Sequence, residues 1–165
     1  METHVVRNPE FPELPRFGLR LFLPDTLNQV RYYGYGPFES YADKHQADCH
    51  GVWSSAVADL HEDYICPQEN GSHFDCDYVT LSGGERSLTA VSATPFSFNA
   101  SPFTQEELTE KAHNFELRPC GSTVLCLDYK QNGIGSESCG PRLLKRYRFD
   151  EREFSFSLKL IPSVS

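Results

Sequence analysis

The run Phe17-Gly18-Leu19-Arg20-Leu21-Phe22-Leu23 decides the fold class, because Phe17, Leu19, Leu21 and Leu23 recur at every second position. That period matches a β-strand, in which successive side chains point to opposite faces. The same alternation returns in Phe74, Cys76 and Tyr78, then in Leu125, Leu127 and Tyr129, and finally in Phe154, Phe156, Leu158 and Leu160. In the last run the intervening positions are Ser155, Ser157 and Lys159, so one face meets a core and the other meets water or a second layer. This is the pattern of antiparallel sheets. Shorter β-like runs lie at Val30 to Tyr33, Leu88 to Val91 and Asn114 to Leu117.

Outward from these strands, the chain is punctuated by Gly34-Tyr35-Gly36-Pro37, Gly83-Gly84, Pro119-Cys120-Gly121 and Gly133-Ile134-Gly135. Many short strands separated by Gly and Pro predict a sandwich or a barrel. One helix is predicted over 104–113. Thr104 is its N-cap, Glu107 completes a capping box, and Glu106 and Glu107 suit the positive end of the helix dipole. The stretch from Gly34 to Asn70 is long, polar and poor in strand pattern, the kind of loop region that carries binding surfaces. Residues 1–14 read as a lead-in strand or the start of a fragment, and 1–165 as a single domain.

The chain has 165 residues, of which 39% are hydrophobic, 13% aromatic and 23% charged, enough to build a core. Its net charge of −8 argues against nucleic acid and anionic membrane surfaces as partners. No stretch approaches the roughly 20 apolar residues of a spanning helix. Six cysteines are scattered without a Cys-x-x-Cys pair, which points to free thiols in a reducing, cytoplasmic compartment. Asn70 and Asn99 head Asn-x-Ser sequons that matter only in a secreted chain.

Local chemistry is sparse. His45, Asp48, Cys49 and His50 fall within six residues, but their spacing matches no closed zinc site, so no metal ligand is assigned. Glu39 and Glu69 are the candidate carboxylates because each sits in a loop bounded by Gly or Pro. Accepting backbone N–H groups is the simpler role for both. No Gly-x-Ser-x-Gly elbow or phosphate-binding loop occurs.

Several unusual segments follow one another in order. They are Pro15-Arg16-Phe17-Gly18, Tyr33-Gly34-Tyr35-Gly36-Pro37-Phe38-Glu39-Ser40-Tyr41-Ala42-Asp43, Pro67-Gln68-Glu69-Asn70-Gly71, Phe98-Asn99-Ala100-Ser101-Pro102-Phe103-Thr104, Leu127-Asp128-Tyr129 and Gly133-Ile134-Gly135-Ser136-Glu137-Ser138-Cys139-Gly140-Pro141. From about Pro15 to Leu160 this series resembles the C-terminal domain of large β-galactosidases of glycoside hydrolase family 2, the small-chain domain of two-chain members. The resemblance implies the later part of an antiparallel supersandwich shared with aldose mutarotases. It also implies retaining hydrolysis of terminal β-D-galactose from galactosides such as lactose.

In that family the two catalytic glutamates, the magnesium and the sodium belong to a preceding (β/α) barrel. The resemblance therefore assigns no catalytic residue, no metal and no cofactor to this chain, which alone would be inactive. It implies a sugar-binding rim at Gly135, Ser138 and Cys139, with Cys139 where many members carry an aromatic platform, in a loop one residue shorter than the tryptophan-bearing version. It further implies that Arg16, Glu39, Glu69 and Asn70 order the interface with the barrel or shape the pocket entrance. The expected partners are the barrel and other parent domains, a galactoside substrate, and further copies in a homo-oligomer. Two rival readings are an independent carbohydrate-binding sandwich, against which stands the single tryptophan Trp53, and a mutarotase-type isomerase. The isomerase needs a paired histidine and glutamate that no histidine context supplies.

Overall fold

A computed structural model describes residues 1–135 and 141–164. The chain forms β1 (Glu2–Val6), β2 (Arg16–Pro24), β3 (Gln29–Gly36), β4 (Cys49–Ala56), β5 (Ser72–Gly83), β6 (Arg86–Ser101), helix α1 (Gln105–Glu110), β7 (Ser122–Gln131), β8 (Glu153–Ser157) and β9 (Lys159–Val164). Seven strands make one antiparallel sheet, in the order β2-β7-β6-β5-β3-β4, with β9 on the first half of β6. β1 and β8 pair as a separate two-stranded layer. Of the sandwich or barrel that the alternation predicts, the chain adopts an all-β sandwich, with β1 at Glu2–Val6.

The alternation of β2 is realised: Phe17, Leu19, Leu21 and Leu23 are half-buried, while Gly18, Arg20 and Phe22 are exposed. Across the sheet, Leu19 faces Leu127, Leu127 faces Phe98, and Phe98 faces His73, a continuous row on the core face. Phe156 and Leu158 close over this row from the second layer. Leu158 is the joint between β8 and β9, where the chain leaves the small layer and enters the large sheet. Burial of such side chains is worth about 1.5–3 kcal/mol each, so this face supplies most of the driving force for folding.

β7 departs from simple alternation. Thr123 to Asp128 are all buried, since the strand is covered on both faces. Leu125 and Leu127 face the core, with Tyr129 packed against it. Cys126 and Asp128 lie under the segment that holds α1 and the loop around Glu69.

Four local expectations are corrected. First, Phe74, Cys76 and Tyr78 do not share one face. Register shifts between His73 and Cys76 and between Cys76 and Tyr78 insert bulges, with Asp75 in the left-handed region at φ 57°, so the core side of β5 runs His73, Cys76, Val79, Leu81. A bulge adds a residue to one strand and flips the phase beyond it. Second, Asn114–Glu116 is a 3-10 turn, whose first-turn acid Glu116 accepts N–H groups from Ala112 and His113. Third, α1 begins where expected, with Thr104 Oγ1 accepting from Glu107 N at 3.1 Å, but ends at Glu110. The carboxylate of Glu107 accepts from Arg118 N instead of closing the capping box. Fourth, the Gly34–Asn70 stretch contains β4 and the 3-10 turn Val57–Leu60. β4 is an edge strand whose exposed side chains blur the alternation, yet Trp53 packs on the core and Val57 and Leu60 join it.

Candidate functional site

The second face of β5, β6 and β7 is buried but polar. Ser72, Ser97, Asn99 and Asp128 are all buried there. A buried polar group is costly unless it is hydrogen-bonded, so every one of these positions demands a partner. Asn99 donates to the loop residue Asn70, Ser72 Oγ to the strand carbonyl of Phe98, and Asp128 is met by Arg16 and Gln131 at strand ends.

Asp128 interrupts the apolar run of β7 and is 2% exposed. Arg16 reaches it through Nε, at 3.1 Å, and through Nη2, while Gln131 Nε2 donates at 2.7 Å. The close approach depends on Gly18, where a Cβ would stand 2.2 Å from Asp128 Oδ1. Arg16 turns its remaining nitrogen, Nη1, to Glu69, so the sequence candidates Arg16 and Glu69 meet although they are 53 positions apart. Burial pushes the Asp128 carboxyl upward, against the pull of Arg16. Burial also works against the Arg16 cation, but Asp128 and then Glu69 more than restore it, leaving its pKa raised. Beside the pair lies an open cleft of about 470 Å³, bordered by Gly18, Arg20, Glu69, Gln105 and Cys126.

From Glu69 the chain passes to Asn70 and Gly71. Asn70 is buried: its Oδ1 accepts from Glu62 N at 3.0 Å, its Nδ2 donates to Gln68 O at 2.9 Å, and its carbonyl accepts from the buried Asn99 side chain. Gly71 has φ +69°, and a Cβ there would stand 2.4 Å from Leu60 O, so only glycine fits. Its N–H donates to Glu39 Oε2 at 2.8 Å.

Glu39 is 6% exposed and is the hub of this end. Besides Gly71 it accepts from Lys44 Nζ, Tyr64 OH and, at 3.4 Å, Tyr41 OH. Burial works against its charge, but these donors outweigh burial and hold the carboxyl below its ordinary range. The same contacts outweigh burial at Lys44 and raise it to about 12. With both oxygens filled, Glu39 fastens backbone and side chains together and has no free lone pair for proton transfer. Glu69 is held by Arg16 through Oε1 and its side chain is 38% exposed. Glu39 thus ties together the turn at Lys44, Tyr64 and Gly71, while Glu69 ties to Arg16.

The third loop starts at Gly133. Gly135 donates its N–H to Asp43 Oδ2 at 2.9 Å, and Ile134 donates to Oδ1 at 3.0 Å. Ser138 and Cys139, the other two rim residues, lie outside the described residues. Asp43 and Asp128 lie within the motifs of the resemblance, but the sequence alone gives neither a role. A charge set in an apolar strand marks Asp128, whereas Asp43 bonds only backbone N–H groups and leaves no side-chain signature.

His45, Asp48, Cys49 and His50 do not converge on a metal. His45 Nδ1 meets Tyr41 O at 2.9 Å, Asp48 accepts from Phe38 N at 3.0 Å, and His50 Nε2 meets Asp75 O at 2.8 Å. Among the described residues no group of three or more His, Cys, Asp or Glu is arranged to hold a metal ion. Among them, too, no helix is long and apolar enough to cross a membrane, and the described cysteines Cys49, Cys66, Cys76, Cys120 and Cys126 are free thiols.

Comparison with known proteins places these features. The family model described as β-galactosidase small chain matches residues 1–160. A β-galactosidase of Actinobacillus pleuropneumoniae is 48% identical over 161 residues, covering 98% of this chain and 16% of that protein. One of Staphylococcus xylosus is 45% identical over 157 residues, covering 94% and 16%, and one of Kluyveromyces lactis is 34% identical over 152 residues, covering 90% and 14%. The chain thus spans about one sixth of the length of these relatives.

Proposed function

The chain belongs to the β-galactosidase small-chain family, and from that premise we propose that it is the C-terminal sandwich of a retaining family 2 β-galactosidase. The parent enzyme removes terminal β-D-galactose from galactosides such as lactose, in the cytoplasm. This domain supports the catalytic barrel and borders the sugar site through the loop at 133–141. It supplies no catalytic group, and the magnesium and sodium belong to the barrel. Arg16, Glu39, Glu69 and Asn70 order the face turned to the barrel and the pocket entrance. Homo-oligomer contacts are made by the assembled parent.

The observation that carries this reading is the agreement of 98% of the chain with one sixth of a β-galactosidase. The architecture supports it. Among the described residues a seven-stranded sheet is faced by a two-stranded layer, and Leu19, Leu21 and Leu23 stay half-buried. The filled carboxylate of Glu39 and the Arg16-paired carboxylate of Asp128 suit a supporting role.

The test is an assay of the purified chain with a chromogenic β-galactoside, with and without magnesium, followed by its addition to a parent enzyme lacking this segment. No turnover by the chain, and recovery of turnover by the truncated parent, are the expected results. Activity that follows the chain through purification and vanishes in Glu69→Gln would overturn the reading and make Glu69 catalytic.

A further inference from the structure

We propose that the outer edge of β4 is a self-association surface, on which the β4 strand of a second copy of this chain pairs antiparallel about a two-fold axis. The pairing belongs to the chain itself and is independent of any activity of the parent enzyme.

The large sheet ends in β2 on one side and in β4 on the other. An end strand presents a row of backbone N–H and C=O groups that a further strand can bond, and natural sheets blunt such edges with charged side chains, proline or bulges. β2 carries all three: Arg16 and Arg20, a register shift between Phe17 and Gly18, and Pro24 at its end. β9, laid along the first half of β6, carries Lys159 and Pro162. β4 has none of these devices. It pairs with β3 from Cys49 to Ala56 without a register shift, and among the described residues it is the one strand that holds no Asp, Glu, Lys or Arg.

Its histidine is turned away from the edge. His50 Nε2 reaches back across β3 to the Asp75 carbonyl of β5, at 2.8 Å, with its ring against Tyr33 and Tyr35. Trp53 packs on the core. On the opposite face β4 shows Val52, 52% exposed, and Ser54.

These features select the occupant. Only extended backbone can bond a strand edge. Two copies of a chain with net charge −8 repel one another, and at β4 they can approach without setting one charged strand residue against another. An antiparallel edge is also its own complement. Rotation by half a turn about an axis perpendicular to the sheet reverses the strand direction, keeps Val52 and Ser54 on the same face in both copies, and sets donors opposite acceptors. The two large sheets then join into one, and Val52 is covered at the seam.

Sedimentation velocity of the chain over a dilution series, together with amide exchange of the peptide covering 49–56, reads the contact. The chain is expected to pass from monomer to dimer as concentration rises, with the β4 amides slowing in step. Combining Val52→Lys with Ser54→Lys sets lysine opposite lysine whether the seam centres on position 52 or on position 53, and is expected to raise the dissociation constant at least about tenfold. Phe22→Lys, on the guarded edge β2, is expected to leave that constant within about twofold. Should the double variant fail to fold, because Ser54 faces Arg31 across β3, Val52→Lys alone is expected to raise the constant in the same direction. A chain that stays monomeric at every soluble concentration, or a dimer that the lysines do not weaken, would overturn the proposal. Slow β4 amides in the full-length enzyme that the lysines leave slow would assign the edge to another segment of that enzyme, and would overturn the pairing of copies as well.

Discussion

The two faces of β6 and β7 are equally buried and held in different ways. On one, Phe96, Phe98, Ala100, Leu125 and Leu127 pack against Phe156 and Leu158. On the other, Ser97, Asn99 and Asp128 are buried, Asn99 donating to Asn70 and Asp128 accepting from Arg16 and Gln131. The first face gains from area and tolerates any shape that fills it. The second gains from particular donors and acceptors, so it fixes the loops that reach the proposed sugar site. On the proposed function, stability and binding are thereby divided between opposite sides of the same two strands.

The largest expected effect lies on the apolar face. Phe98 is fully buried and meets the rings of Tyr32, at 4.9 Å between centroids, and His73, at 5.0 Å. Phe98→Ala is expected to lower unfolding free energy by about 3–5 kcal/mol, read by urea denaturation. A loss under about 1 kcal/mol would mean that this face is not the source of stability.

Next comes an acid-sensitive position on that same face. His73 is 1% exposed. Its Nδ1 lies 2.9 Å from Tyr32 OH and 3.3 Å from Tyr35 O, while Nε2 is buried without a hydrogen-bond partner among the described residues. Burial lowers its pKa to about 4. A folded pKa below the unfolded value of 6.5 means that the unfolded chain takes up the proton first, so stability is full above about pH 6.5 and falls as pH drops towards 4. The loss is on the order of 3 kcal/mol. Glu39, held below its ordinary range, contributes stability that is lost at still lower pH, below the unfolded carboxylate value. Denaturation midpoints between pH 7 and 4 check the sign. A His73→Leu variant should show a flatter slope, and an identical slope would assign the effect elsewhere.

The faces also differ in how much of them the sequence reveals. Strands β2, β7 and β8 are legible because apolar side chains recur with period two. In β5 the bulge at Asp75 shifts the phase, and nothing in Phe74-Asp75-Cys76 announces an extra residue. β4 escapes because an edge strand exposes both its faces in part. On the polar face, Arg16, Glu69, Glu39 and Asn70 stand out in motifs, but their partners are distant side chains or backbone groups. The role of Asp43 emerges only when Ile134 and Gly135 are brought beside it.

A smaller effect belongs to Asp128→Asn. It keeps an oxygen for Arg16 but removes the charge that balances the guanidinium, with an expected cost of about 2 kcal/mol, limited because the Arg16 side chain is 28% exposed. Thermal unfolding checks this, and an unchanged Tm would show that Arg16 is content with Glu69 alone.

The most direct measurement of the division between faces is made in the full-length enzyme with Phe98→Leu and Asp128→Asn, comparing inhibition constants for sugars at the galactoside site with Tm. The account predicts that both lower Tm, that Asp128→Asn raises the inhibition constants several-fold, and that Phe98→Leu leaves them unchanged. Equal shifts from the two variants, or none from Asp128→Asn, would contradict it.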